Sequence, residues 1–176
     1  MVTDTIVDAI LYLHQSGVYH RDLKDENVVI DQNLNVKLID FGSAVCEDTR
    51  LEPKRYSEFK GTDAYAAPGK SYRSRLSGDM ADKIEIYPKG KARYEAAPTD
   101  IWALGLLLSM ILTRSMPFTE GDRKYRFQLR AQVPDPTYEI IRACLRIDPR
   151  ERPTIDEIAS HYWLSEQYIR DLASRR

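Results

Sequence analysis

Cysteine is scarce: Cys46 and Cys144 are the only two in 176 residues, far apart and in no metal-ligand spacing. The expectation is a pair of reduced thiols in an intracellular protein, in cytoplasm or nucleus, and the pattern argues against an extracellular disulfide scaffold. An excess of either charge is missing too. Lys and Arg number 26 against 27 Asp and Glu, a formal net charge of −1, so no global field draws the chain to nucleic acid or to an anionic membrane, and neither is an expected partner. Long apolar runs are absent. The most apolar stretch, 101–112, carries Trp102, Gly105 and Ser109 and falls short of the about 20 residues that span a bilayer. It reads as a buried core helix. No basic segment followed by an apolar run opens the chain, so no secretory signal is expected. What is present, 43% hydrophobic and 30% charged residues, is the composition of an ordinary globular domain. A chain of this length buries about two-thirds of its unfolded surface around one core.

Ile6, Ile10, Leu11 and Leu13 sit near helical spacing after Thr3 or Asp4, and Gly17 follows where a helix stops, which predicts a helix over 3–15. Val28-Val29-Ile30 and Val36-Lys37-Leu38-Ile39, separated by the turn chemistry of Asp31 to Asn35, predict a small hairpin. From Asp40 to Ala67 no periodicity persists, and 69–98 is equally irregular and rich in Gly, Ser, Lys and Arg. Loops that long usually carry function or are disordered. The apolar pattern returns from Thr99, predicting a helix to Leu112, and further helices are expected at 123–132, 137–145 and 154–160. Pro153-Thr154 opens the last of these, with Asp156-Glu157 at its positive end. The basic run 83–93 interleaves acidic residues and reads as a solvated loop face.

The chemistry-bearing residues are clustered. His20-Arg21-Asp22-Leu23-Lys24-Asp25-Glu26-Asn27 lies between the first helix and the hairpin, and Asp40-Phe41-Gly42 follows Asn27 after twelve intervening residues. Downstream come Gly61-Thr62 with Ala67-Pro68, then Thr99-Asp100-Ile101-Trp102-Ala103-Leu104-Gly105, then Asp148-Pro149-Arg150-Glu151-Arg152-Pro153. Each motif alone is weak, since Asp-Phe-Gly is ordinary turn composition. In this order and spacing they resemble the C-terminal lobe of a eukaryotic-type protein kinase over almost the whole chain. The resemblance implies a mainly α fold with a small β-hairpin at the catalytic loop. It places a kinase domain over 1–164, an irregular insertion at about 70–98 and a tail over 165–176. The hairpin region looks most like the calmodulin-kinase-related branch, near PAS-domain and Pim kinases.

By that resemblance the function is transfer of the γ-phosphate of Mg-ATP to Ser or Thr in a protein. Asp22 is the base that orients the substrate hydroxyl, Lys24 faces the γ-phosphate and marks the serine/threonine branch, and Asn27 and Asp40 are magnesium ligands. Phosphoryl transfer asks for these groups because positioning and electrostatics supply most of its rate. ATP is expected against Lys24, Glu26, Asn27, Val29 and Asp40, with Val29 as the floor beneath adenine. Glu26, with Asp25, faces outward toward basic residues of a substrate peptide. Arg21 corresponds to the residue that receives an activation-loop phosphate, and Glu58 stands where that phosphorylated residue is often found, which suggests a permanent negative charge there. Gly61 and Thr62 line the substrate groove. His20 and Phe41 correspond to two stacked buried residues, Asp100 to the carboxylate that holds the catalytic-loop backbone, and Leu107 and Ile111 to residues beneath the adenine column.

Two departures qualify the resemblance. A glycine-rich loop, a strand lysine and its helix glutamate have no counterpart in these residues, so the N-terminal β-rich lobe is absent from this chain and phosphotransfer by the chain alone is expected to be negligible. The alternative reading is a truncated pseudokinase that binds a substrate or regulatory protein without turnover. Secondly, Ala67-Pro68-Gly69 stands where the family has Ala-Pro-Glu. That glutamate usually pairs with the arginine at Arg152, so Glu95 or Glu85, from the stretch that reads as an insertion or as a gene-model error, is expected to serve instead.

Overall fold

The computed structural model describes residues 2–33, 35–68, 93–117 and 135–164. Helix α1, Val2–Gln15, buries Ile6, Val7, Ile10 and His14 along one face, a spacing that turns one stripe inward at 3.6 residues per turn. It stops at Gly17, whose φ of +71° only glycine adopts without strain. A side chain there would collide with the Glu47 carbonyl, while the Gly17 carbonyl accepts the Glu47 N–H at 2.8 Å.

Three two-stranded antiparallel sheets follow. β2, Val28–Ile30, pairs with β3, Val36–Leu38, in the register Val28 to Leu38, the expected hairpin ending one residue early. The irregular stretch after Asp40 is more ordered than its sequence suggests. β1, Val18–Tyr19, pairs with β4, Val45–Cys46, and β5, Arg55–Tyr56, pairs with β6, Tyr94–Glu95. The irregularity expected over 70–98 is corrected at its end: residues 94 and 95 are a strand, and 96–98 already belong to a helix.

That helix, α2, runs Ala96–Thr113 and is buried on nearly every side through Ser109. It starts three residues before the expected Thr99 because Pro98 is tolerated in a first turn, where its missing N–H has no intrahelical acceptor anyway. By length and composition alone α2 could cross a bilayer, but 67% of its apolar window is buried inside the fold. It is the core's axis. α3, Asp135–Cys144, packs closely on it at Gly105, where any added Cβ would lie 2.7 Å from the Cβ of Cys144. α4, Ile155–Ala159, is opened by a reciprocal capping box between Thr154 and Glu157. The core gathers Ile6, Ile10, Leu23, Trp102, Leu104, Leu107, Ile141 and Ile158. The helix expected over 123–132 and the tail over 165–176 lie outside the described residues.

Candidate active site

The catalytic loop is shaped by one carboxylate. Asp100, in the first turns of α2, accepts the His20 N–H on Oδ2 at 2.8 Å and the Arg21 N–H on Oδ1 at 2.7 Å. Its Oδ2 also lies 3.1 Å from Nε2 of the buried His14. To present consecutive N–H groups to one acceptor the chain bends sharply, and Arg21 sits at φ 65°, a left-handed conformation that costs a non-glycine residue about 1–3 kcal/mol. His20 fixes the next step. Its Nδ1 accepts the Asp22 N–H at 3.3 Å and its Nε2–H donates to the Ile39 carbonyl at 3.0 Å, so the hydrogen bonds select one tautomer. Phe41 stacks on the ring at 4.9 Å. Contrary to expectation Phe41 is not buried: 45% of it is exposed, although its ring meets that of His20.

Asp22, Lys24, Asn27, Asp40 and Thr62 converge on one surface. Lys24 Nζ donates to Thr62 Oγ1 at 2.9 Å and lies 3.6 Å from Asp22 Oδ2. Asp22 Oδ1 is buried and accepts no hydrogen bond among the described residues. Asn27 Nδ2 donates to the Asp22 carbonyl at 2.9 Å, which leaves its amide oxygen as the remaining acceptor. The hairpin closes with the Ile39 N–H on the Asn27 carbonyl at 3.0 Å, bringing Asp40 back beside Asn27. Asp40 is itself left-handed, φ 61°, with Oδ1 accepting the Gly42 N–H at 3.2 Å. Its second oxygen accepts no hydrogen bond among the described residues. Val29 is 42% exposed and Glu26 is also exposed. Leu107 is fully buried, whereas Ile111 is substantially exposed, so only the former lies in the core as expected.

The sequence reading of Glu58 needs correction. Its carboxylate is 72% exposed and pairs with Lys60 at 3.0 Å, so it does not supply the charge opposite Arg21. That guanidinium is held by aromatic rings. Arg21 Cζ lies 4.6 Å from the Tyr56 centroid and 5.6 Å from that of Tyr94, and Nη2 donates to the Tyr94 hydroxyl at 2.7 Å. The Tyr94 hydroxyl in turn donates to the Glu58 backbone carbonyl at 2.9 Å. Glu58 takes part through its main chain. Burial first, then a hydrogen bond to Glu47, pushes the Tyr56 phenol up to about 12, and burial likewise raises Tyr94.

A second link missed by sequence joins Tyr65, whose hydroxyl donates to Asp25 Oδ1 at 2.9 Å. Asp25 is held below the usual carboxylate range by its hydrogen bond with Glu26 and by that of Tyr65, against partial burial. No local signal announces either tyrosine contact, since Tyr94 lies 73 positions beyond Arg21 and Tyr65 lies 40 beyond Asp25. Arg152 does not take Glu95 as its partner. Its guanidinium donates to the carbonyls of Arg146, Pro98 and Ile147 at 2.9, 2.7 and 3.1 Å and stacks over Trp102 at 5.0 Å. Glu95 pairs with Arg55 at 3.5 Å, and Glu85 lies outside the described residues. A cavity of about 370 Å³ opens between α1, Pro98 and Thr154 and shares no residue with the Asp22 to Asp40 surface.

Comparison with known proteins agrees with this geometry. The protein kinase domain family model matches residues 1–164. The chain belongs to the protein kinase family. It is 36% identical to serine/threonine-protein kinase PSK2 of Saccharomyces cerevisiae over 168 residues, 93% of this chain and 13% of that protein. It is 28% identical to serine/threonine-protein kinase pim-2 of Danio rerio over 167 residues, 93% of this chain and 47% of that one. With NUAK family SNF1-like kinase 1 of Mus musculus it shares 34% over 170 residues, 93% of this chain and 23% of that one. These relatives place it on the serine/threonine branch of the family, consistent with the calmodulin-kinase-related group. The chain spans less than half the length of each.

Proposed function

We propose that these residues form the catalytic-loop half of a serine/threonine protein kinase that transfers the γ-phosphate of ATP to a protein hydroxyl. The observation that carries this reading is the convergence of Asp22, Lys24 and Thr62 beside Asn27 and Asp40 on one surface. The donor set fits a magnesium nucleotide. Asn27 and Asp40 each keep an oxygen uncommitted within the described structure, and magnesium in phosphoryl-transfer sites takes one or two protein oxygens, with phosphates and water completing its shell. Bound there, Mg-ATP supplies the phosphoryl group and the charge neutralisation for its transfer.

The protein's own part is positioning. Asp22, with a buried oxygen that has no other partner within the described structure, would accept the proton of the incoming Ser or Thr hydroxyl. Lys24, anchored by Thr62, would place a cation beside the transferred group. Val29 would lie beneath the adenine, and exposed Glu26 would receive a basic residue of the substrate peptide, which supports a basophilic preference. An intracellular setting, cytoplasm or nucleus, belongs to this reading and is supported by two free thiols.

These 176 residues contain no glycine-rich loop and no strand lysine to hold the phosphates, and Val29 and Phe41 are open to solvent. The same observations favour the second reading, a pseudokinase module that binds a substrate or regulator without turnover. The native protein, isolated as its cell makes it, and the 176-residue chain should each be incubated with Mg-ATP and a basic Ser/Thr peptide. Phosphorylation abolished by Asp22→Asn is expected from any product that also carries a glycine-rich loop and a strand lysine, and none from the 176 residues alone. A native protein that binds nucleotide yet transfers nothing would move the assignment to the binding module.

A further inference from the structure

Asp25 is exposed on the rim of the catalytic loop, beside Glu26, and its sequence position invites the same role, pairing with a basic substrate residue. Its carboxylate is already engaged. The acceptor Oδ1 takes the Tyr65 hydroxyl at 2.9 Å. The Tyr65 ring is buried in the core, so the hydroxyl emerges at a fixed point and cannot follow a mobile partner. A phenol in that situation normally requires an acceptor, and a carboxylate is a stronger one than a neutral group.

The neighbouring link has the same sense. Lys24 Nζ donates to Thr62 Oγ1 at 2.9 Å, so consecutive residues of the catalytic loop grip Thr62 and Tyr65. Those two are the ends of one turn, closed by the Tyr65 N–H on the Thr62 carbonyl at 3.0 Å. The turn leaves Gly61 at φ 107° and enters the buried Ala67. Asp22 is two residues before Lys24 and three before Asp25. A turn tied at both ends to that loop cannot shift without moving relative to Asp22.

We infer that Asp25 is a positioning residue which, through the Tyr65 hydroxyl, holds the turn 62–65 in register with Asp22 and so sets where the protein substrate lies. This rests on the kinase reading above. It divides the acidic pair: Glu26 is left to meet basic substrate residues, and Asp25 works inward.

Asn can accept the same hydrogen bond without a charge, which gives the test. Asp25→Asn, Asp25→Ala and Tyr65→Phe should be compared in the native protein for peptide KM, ATP KM and kcat, with hydrogen exchange followed at the amides of 63–67. Asp25→Ala and Tyr65→Phe are expected to raise peptide KM by about 5- to 30-fold, leave ATP KM unchanged and speed exchange. Asp25→Asn should keep near-parental values, and the Asp25→Ala, Tyr65→Phe double variant should be no worse than either single one. If Asp25→Asn fell with Asp25→Ala while Tyr65→Phe was silent, Asp25 would be a charge contact for substrate and the inference would be wrong. Unchanged exchange and KM in Tyr65→Phe would also overturn it. A parent protein with no phosphotransfer defeats the kinase reading itself, and faster exchange in Asp25→Ala and Tyr65→Phe would then show the tie as structural only.

Discussion

Asp100 holds Arg21 by its backbone, at 2.7 Å, while the Arg21 side chain reaches 73 residues along the chain to Tyr94. One residue thus joins the central helix, the catalytic loop and the strand that precedes α2. The carboxylate fixes its main chain in a left-handed bend, and the aromatic pair fixes where its cation points.

Replacing Asp100 with Asn sets an amide N–H2 against one of the two backbone N–H groups it now accepts. A loss of about 2–4 kcal/mol in unfolding free energy is expected, because a buried donor is stranded and the bend at Arg21 loses its support. Urea unfolding at neutral pH measures it. A loss below about 0.5 kcal/mol would mean that the bend is held from elsewhere.

The aromatic cage and the charge of Glu58 make opposite predictions. Glu58→Ala removes an exposed pair with Lys60 and should change stability by less than about 0.5 kcal/mol. Tyr94→Leu removes a hydroxyl bridging Arg21 and the Glu58 carbonyl together with a ring beside the cation, and about 2–3 kcal/mol should be lost. Denaturation of the two variants side by side separates a carboxylate anchor from an aromatic one.

Alkali should loosen the same region. Tyr56 ionises at about 12 in the folded protein, against an ordinary value of 10.0, so the fold binds its proton more tightly than the unfolded chain does. That contribution is whole below pH 10 and is lost as pH rises from about 10 toward 12. The urea midpoint should fall over this window in step with phenolate absorbance, and less steeply in Tyr56→Phe. Equal slopes in the two proteins would remove Tyr56 from the account.

The two thiols should react in sequence. Cys46 is exposed, whereas Cys144 is buried against Gly105 and burial pushes its thiol up to about 12. A disulfide reagent at pH 8 is expected to label one thiol per chain promptly and the second only after denaturant unfolds the protein. Two fast equivalents would show that the α2 to α3 packing opens readily.

The sequence alone determined the local parts of this protein. Asp22, Lys24 and Asn27 share one short loop, the hairpin carries Asp40 back toward them, and α1 declares itself by its apolar stripe and its glycine stop, because each depends on residues only a few positions apart. Tertiary structure decided the rest. β1 with β4 and β5 with β6 are two-residue pairings between distant segments, too short for any propensity to mark. The partner of Arg21 could be counted to the right loop at Glu58, but position along a chain does not say which way a side chain points, and the carboxylate turned to Lys60 while the main chain accepted the Tyr94 hydroxyl that meets Arg21. Asp25 and Glu26 are alike in sequence, and a buried ring 40 residues away distinguishes them. Such contacts arise only when packing brings separate segments together, so their energy has no local pattern from which to be read.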